Sequence, residues 1–291
     1  MKILILLFIV VSSATLSAQE KGIVFSEDFE SASKEEMLKQ WNDAYNPEGM
    51  QFSSDVPKGS KGKQSLMMTY NPDSDNGGFL FKTFPEGFDT LYARFYVKFI
   101  TNYSPTHHFS GMGGYYPPSP WPIGRAGFKP KGNEKFNTAV EPKGDQWTWD
   151  FYTYWMNMHG YSDPEHFWGN TFNPDPPSKV VHKQWICIEM MVVLNTPVEE
   201  SNGEQAFWID GKEIIHLGRG FPSGYWKWDQ FIPTQGKGCF EGFQWRNDER
   251  LKINFFKLSY YMTKGKPGEI DKVLFDDVVV STTYIGPLKR Q

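Results

Sequence analysis

The sequence predicts an all-β fold of the sandwich or jelly-roll type, with antiparallel sheets. Three observations carry that expectation. Helical periodicity is almost absent, short β-branched or aromatic segments recur along the chain, and Gly, Pro, Asn or Asp bound nearly all of them. Many short strands separated by turn signals are the pattern of a sandwich or jelly roll.

The elements follow in chain order. Strands are expected over 23–29, 64–70, 78–84, 90–100, 137–141, 147–156, 185–194, 205–209, 212–216, 253–261 and 273–280. Asp210-Gly211 joins two of them as a two-residue hairpin, because both residues tolerate the positive φ that such a turn needs. The one helix candidate is 31–41, where Ser33 can cap and Glu35-Glu36 suit a first turn. The first and last strands are placed to pair and close the domain. The Pro-rich stretches 117–122 and 174–177 interrupt the pattern without dividing it into two cores, and ordered loops of that kind commonly shape a site.

The start of the chain predicts export. Lys2, the apolar run 3–11 and the small residues Ser12, Ser13, Ala14, Ser17 and Ala18 have the order of a secretory signal peptide. Cleavage is expected after Ala18, with Ala14 the alternative, leaving one domain over 19–291 in a secreted or periplasmic location. The run is too short to anchor the chain in a bilayer. No Cys near the start offers a site for a lipoprotein-type lipid, so no membrane anchor is expected.

Net charge is −4 with no basic block, which argues against a nucleic-acid partner. Aromatics make up 17% of the chain, more than a core of this size needs, so part of them is expected to line a surface groove. The expected partner is a polysaccharide, and the expected state a monomer. Export permits a disulfide between Cys187 and Cys239, and two separate thiols are the alternative.

The polar residues that need explaining lie in the middle third. On a strand over 147–156, side chains alternate between faces. Trp149, Phe151, Thr153 and Trp155 form the face suited to burial. Asp150, Tyr152, Tyr154 and Met156 then project a carboxylate and two phenols into a groove, although either Tyr suits a half-buried core position equally well. Glu189 sits among apolar residues on its own strand. It is either paired structurally, with Arg94 or Arg246 as candidate partners, or part of a site. His107 and His108 precede Gly111, Gly113 and Gly114. As strand neighbours only one of the two imidazoles is expected to face the groove. No H-x-H or H-E-x-x-H spacing accompanies them, so a catalytic or sugar-binding His is preferred to a metal ligand. Arg125 and Lys129 stand in a glycine-rich loop where cations suit an acidic sugar. Neither a G-x-S-x-G elbow nor a phosphate-binding G-x-x-x-x-G-K-[ST] loop occurs.

The segments DTLYARFYVKF, HHFSGMGG, FNTAVEP, WDFYTYWMNM, WGN, WICIEMMVVLN, AFWIDGK and VLFDDVVVSTTYIGP together resemble secreted bacterial proteins with a concanavalin A-like jelly roll. They are similar to the family-fourteen polysaccharide lyases and the related alginate and glucuronan lyases, over about residues 25–287. The resemblance implies β-elimination on a uronate polymer. A base must remove the C5 proton, an acid must protonate the leaving oxygen, and a cation or amide must neutralise the sugar carboxylate.

On this reading Tyr152, Tyr154, His107 and His108 are the catalytic candidates. Arg125, Lys129, Glu141, Asp150, Trp155, His159, Glu189 and Arg246 are the substrate-binding ones. A glycoside hydrolase on the same fold is the alternative, with Glu141, Asp150 and Glu189 as the available acids, although the E-x-D-x-x-E and E-x-D-x-E pairs are absent. A third reading is a sugar-binding module that stacks on Trp121, Trp155 and Trp168. No cofactor is expected beyond a structural calcium, for which Glu27, Asp28, Asp276 and Asp277 would gather oxygen ligands where the chain ends meet.

Overall fold

The computed structural model describes residues 22–119, 126–161 and 166–289. The expected signal peptide, Trp121 and Arg125 lie outside these residues. In chain order the strands are β1 (Ile23–Glu27), β2 (Asp43–Tyr45), β3 (Met50–Ser53), β4 (Ser65–Tyr70), β5 (Gly77–Phe88), β6 (Thr90–Phe99), β7 (Gly111–Tyr115), β8 (Lys135–Lys143) and β9 (Thr148–Tyr154). They continue as β10 (Asn170–Phe172), β11 (Ile186–Val193), β12 (Glu204–Ile209), β13 (Lys212–Leu217), β14 (Gly224–Lys227), β15 (Gln230–Pro233), β16 (Ile253–Tyr261) and β17 (Asp271–Ser281). A single α-turn, α1 (Lys34–Leu38), starts at Ser33, whose hydroxyl accepts the Glu36 N–H as the sequence predicts.

Two sheets make the sandwich. One runs β13-β12-β11-β6-β17-β4-β3, with β1 added on β17, and the other runs β14-β15-β10-β9-β8-β7-β16-β5-β2. The first and last strands pair as expected, from Glu27 opposite Val278 to Ile23 opposite Ser281. Asp210 and Gly211 both take positive φ in the β12–β13 hairpin. All strand pairs are antiparallel except β10 with β15, a departure from the expected pattern.

The aromatic content is used first between the sheets. Phe109 stands at the centre, with ring centroids 5.5 Å from Phe99 and Phe275 and 6.1 Å from Phe95 and Trp149. On β16 the alternation sends Phe256, Leu258 and Tyr260 inward and leaves Phe255, Lys257, Ser259 and Tyr261 on the other face. Three polar groups bridge the sheets inside this core. The Thr138 and Thr153 hydroxyls are 2.8 Å apart, and Thr138 donates to Gln205 Oε1 at 2.8 Å. A satisfied buried network of this kind fixes the sheet-to-sheet register.

Strand β7, which the sequence pattern did not predict, lies between β8 and β16 and has glycine at three of its five positions. A Cβ at Gly111 would sit 2.3 Å from the Thr138 carbonyl oxygen and 2.8 Å from the Ala139 Cα. Gly111→Ala is therefore expected to destabilise the fold by about 2–3 kcal/mol, read as a lowered midpoint in urea at unchanged slope.

At the β1–β17 seam, Glu27 and Asp276 are buried and Asp28, Glu30 and Asp277 lie within electrostatic reach. Burial, with Asp277 beside it, pushes the Asp276 carboxyl up to about 8. Burial likewise raises Glu27 and Asp277. Glu27 Oε2, Asp276 Oδ2 and Asp277 Oδ2 are buried without a hydrogen-bond partner among the described residues. Also among the described residues, no group of three or more His, Cys, Asp or Glu side chains is arranged to hold a metal ion. Cys187 is buried, Cys239 is exposed, and both are free thiols. No helix of the described residues is long and apolar enough to cross a membrane.

Candidate active site

The nine-stranded sheet presents its outward side chains to a cavity of about 430 Å³ that crosses β9, β8, β7, β16 and β5. Strand β9 contributes Tyr152 and Tyr154, β8 contributes Lys135, Asn137 and Glu141, β16 contributes Lys257 and Tyr261, and β5 contributes Phe79 and Phe81. The bare glycine of β7 at Gly111 leaves the middle of this surface low. The β9 faces divide as the alternation predicts, with Trp149, Phe151 and Thr153 buried and the two phenols outward.

His107 and His108 both line the cavity, where only one imidazole was expected. They do not belong to a regular strand. Their N–H groups both donate to the Tyr261 carbonyl, at 2.9 and 3.1 Å, and that kink puts the two rings on the same side with centroids 4.2 Å apart. His108 Nδ1 lies 3.1 Å from Glu141 Oε1, which also accepts the Phe109 N–H at 3.3 Å. A carboxylate at Nδ1 favours the tautomer with the proton there and leaves the lone pair on Nε2. Burial, then the neighbouring His108, lowers the His107 pKa.

The ring of Tyr152 is 5.4 Å from that of His108, and its hydroxyl is 3.4 Å from the Tyr154 hydroxyl. Burial, then the adjacent Tyr154, raises the Tyr152 pKa strongly, and burial also raises Tyr154. Both phenols therefore keep their protons at neutral pH. Asp150 faces Glu141 across β8 and β9. The residue is 3% exposed, and burial beside Glu141 holds its carboxyl well above the usual carboxylate range, with Lys143 Nζ 3.9 Å away. Lys257 is a cation the sequence reading missed. Burial lowers its pKa, and the Glu141 charge opposes that shift. Its signal was a single Lys in the apolar run INFFKLSYY, on the face shared with Ser259 and Tyr261.

Tyr152, Tyr154, His107, His108, Glu141 and Asp150 thus converge on one groove, and other candidates fall elsewhere. Glu189 stands opposite Arg94 on the eight-stranded sheet and accepts the Ile285 and Gly286 N–H groups at 2.7 and 2.8 Å. Arg246 is spent on Asp89 at 2.8 Å and on the Leu251 carbonyl. Trp155 is wholly buried, because the core continues past the end of β9, and its indole N–H donates to Asn170. His159 stacks on Trp226 at 3.9 Å and meets Glu241. Lys129 lies over the Phe167 ring. Trp168 is 45% exposed and outside the cavity lining.

The chain has a jelly-roll fold that recurs among alginate lyases of known structure. Among the similar solved structures are an alginate lyase from Chlorella virus (13% identity, 89% of this chain and 99% of that one, TM-score 0.59) and the marine PL-14 alginate lyase from Aplysia kurodai (13%, 89% and 98%, 0.58). A third is an alginate lyase mutant in complex with alginate tetrasaccharide (12%, 88% and 95%, 0.58). No family model and no curated protein matches the chain.

Proposed function

We propose that the protein is a secreted polysaccharide lyase that cleaves a uronate-containing polymer by β-elimination in the groove of the nine-stranded sheet. The observation that carries this reading is the Glu141–His108–Tyr152 series, which sets an oriented imidazole beside a protonated phenol. His108, held through Nδ1, takes the C5 proton on Nε2. Tyr152 gives its proton to the glycosidic oxygen as the C4–O bond breaks and the C4–C5 double bond forms. Lys257 and Asn137, on the same surface, neutralise the sugar carboxylate as charge develops on it. The alginate lyases of the same fold support the substrate class.

The test is to supply uronate polymers such as alginate and follow absorbance near the ultraviolet edge. A rise, from the unsaturated sugar end, is the expected result. New reducing ends without that absorbance would transfer the chemistry to hydrolysis by Glu141 and Asp150. Retention of polymer without any product would leave only a binding role.

A further inference from the structure

The proton transfers proposed above use Glu141, His108 and Tyr152 and leave Tyr261 without a task. Tyr261 ends β16 on the outward face, in line with Phe255, Lys257 and Ser259. Just before β7 the chain meets it as an isolated antiparallel bridge, with His108 opposite Tyr261. The two residues exchange both backbone hydrogen bonds. The His108 N–H donates to the Tyr261 carbonyl at 3.1 Å, and the Tyr261 N–H donates to the His108 carbonyl at 3.0 Å. Residues paired in this way stand directly opposite one another, and their side chains rise side by side from the same face. The two rings accordingly lie nearly parallel, at 14°, with centroids 5.9 Å apart. Tyr152, by contrast, is tilted 39° to the imidazole. By strand order Tyr261 flanks His108 from β16 and Tyr152 flanks it from β9. Glu141 meets the ring at its Nδ1 edge.

We propose that Tyr261 is a positioning residue for the base. Its backbone fixes where His108 stands, and its ring face favours the imidazolium that forms when His108 takes the C5 proton. A cation within about 6 Å of an aromatic centroid is attracted to the negative face of the ring. That attraction arises only as the proton moves, so it acts on the transition state and on kcat rather than on the binding of the polymer. The role needs the ring and not the hydroxyl. This separates Tyr261 from Tyr152, whose hydroxyl is the reacting group. The other ionisable groups that face His108 or line the two hollows beside it are His107, Glu141, Tyr152, Lys143, Lys257 and Lys264, and a change at Tyr261 leaves all of them in place. The assignment rests on the lyase reading for the direction of the proton transfer.

The experiment compares the wild type with Y261L, Y261M and Y261F on alginate across pH. Thermal unfolding shows which variants are intact, and two ring-free variants are made so that one folded protein suffices. Removing the ring is expected to lower kcat by about twofold to tenfold, with KM changed far less. It should also move the acidic limb of the kcat profile by about 0.5–1 pH unit towards lower pH, because the base then gives up its proton more readily. Y261F, which keeps the ring, should recover the wild-type limb. An NMR titration of the His108 imidazole, identified by its loss in H108Q, should show the same displacement with no substrate present. Coincident titrations of the wild type and the ring-free variants overturn the proposal. A Y261F variant as impaired as Y261L also overturns it, since the hydroxyl would then be the active part, and a change in KM alone would make Tyr261 a sugar contact instead. The NMR titration needs no turnover. A ring-dependent His108 titration without any unsaturated product would therefore retain the stack and remove the lyase.

Discussion

Tyr152→Phe is expected to lower kcat on a uronate polymer by about 10²–10⁴-fold, the contribution of a positioned proton donor, with KM changed far less. The substitution deletes one oxygen. The ring keeps its place against His108, at 5.4 Å, and against the backbone of Gly169, where a Cβ would come within 2.5 Å of it. Fold loss is therefore not the reason for the defect, and an unchanged unfolding temperature checks this. Tyr154→Phe should cost less. Its hydroxyl touches that of Tyr152 at 3.4 Å and acts by orienting it. Because burial and the Tyr154 neighbour raise the Tyr152 pKa, the phenol remains a proton donor through the alkaline range and adds no falling limb to the pH–rate profile near neutrality. If both single variants retained wild-type kcat, neither phenol would be the acid, and Asp150, whose carboxyl burial beside Glu141 holds above the usual carboxylate range, would be the next candidate.

The division of labour on β9 was legible because alternation is a strong constraint once one face must be dry. Trp149 and Phe151 went inward, and that forced Asp150 and Tyr152 outward. The same rule misled where the chain leaves regular pairing. His107 and His108 lie just before β7 and turn to one side, whereas Trp155, which alternation placed on the buried face, does enter the core and only its substrate-binding assignment falls. Strand β7 itself escaped notice since glycine carries no β signal, yet the bare positions Gly111, Gly113 and Gly114 are what let β8 and the chain around β16 come close to it. The short strands β2, β3, β10, β14 and β15 escaped for a different reason, their pairing being decided by partners far away in the chain. Glu189 was open between site and structural pairing, and its place opposite Arg94, with two backbone N–H groups on its oxygens, puts it with structure. Lys257 needed the third dimension. Only the adjacency of β16, β7 and β8 shows that this lysine shares a surface with Glu141.

The seam that closes the sandwich carries the second large effect, this time on stability. Asp276 is fully buried beside Asp277, with Asp28 and Glu30 in reach, and its folded-state pKa is about 8 against 3.8 for the free side chain. Between those two values the folded protein holds a proton that the unfolded chain has released. Stability therefore falls as pH rises through this window, the reverse of the usual carboxylate case, and the raised Glu27 and Asp277 act in the same direction. The cost for Asp276 is on the order of 6 kcal/mol by the time pH passes 8. Asp276→Asn keeps the shape of the protonated acid and removes the titration. Thermal unfolding in the presence of a chelator, which keeps cations off the cluster, should then show the two proteins alike near pH 4. The variant should pull ahead as pH rises and be clearly more stable at pH 8 and above. A difference between the two that stays constant across that range would mean that Asp276 is ionised in the folded state at all of these pH values, and that the unpartnered oxygens of the seam find compensation in the native fold.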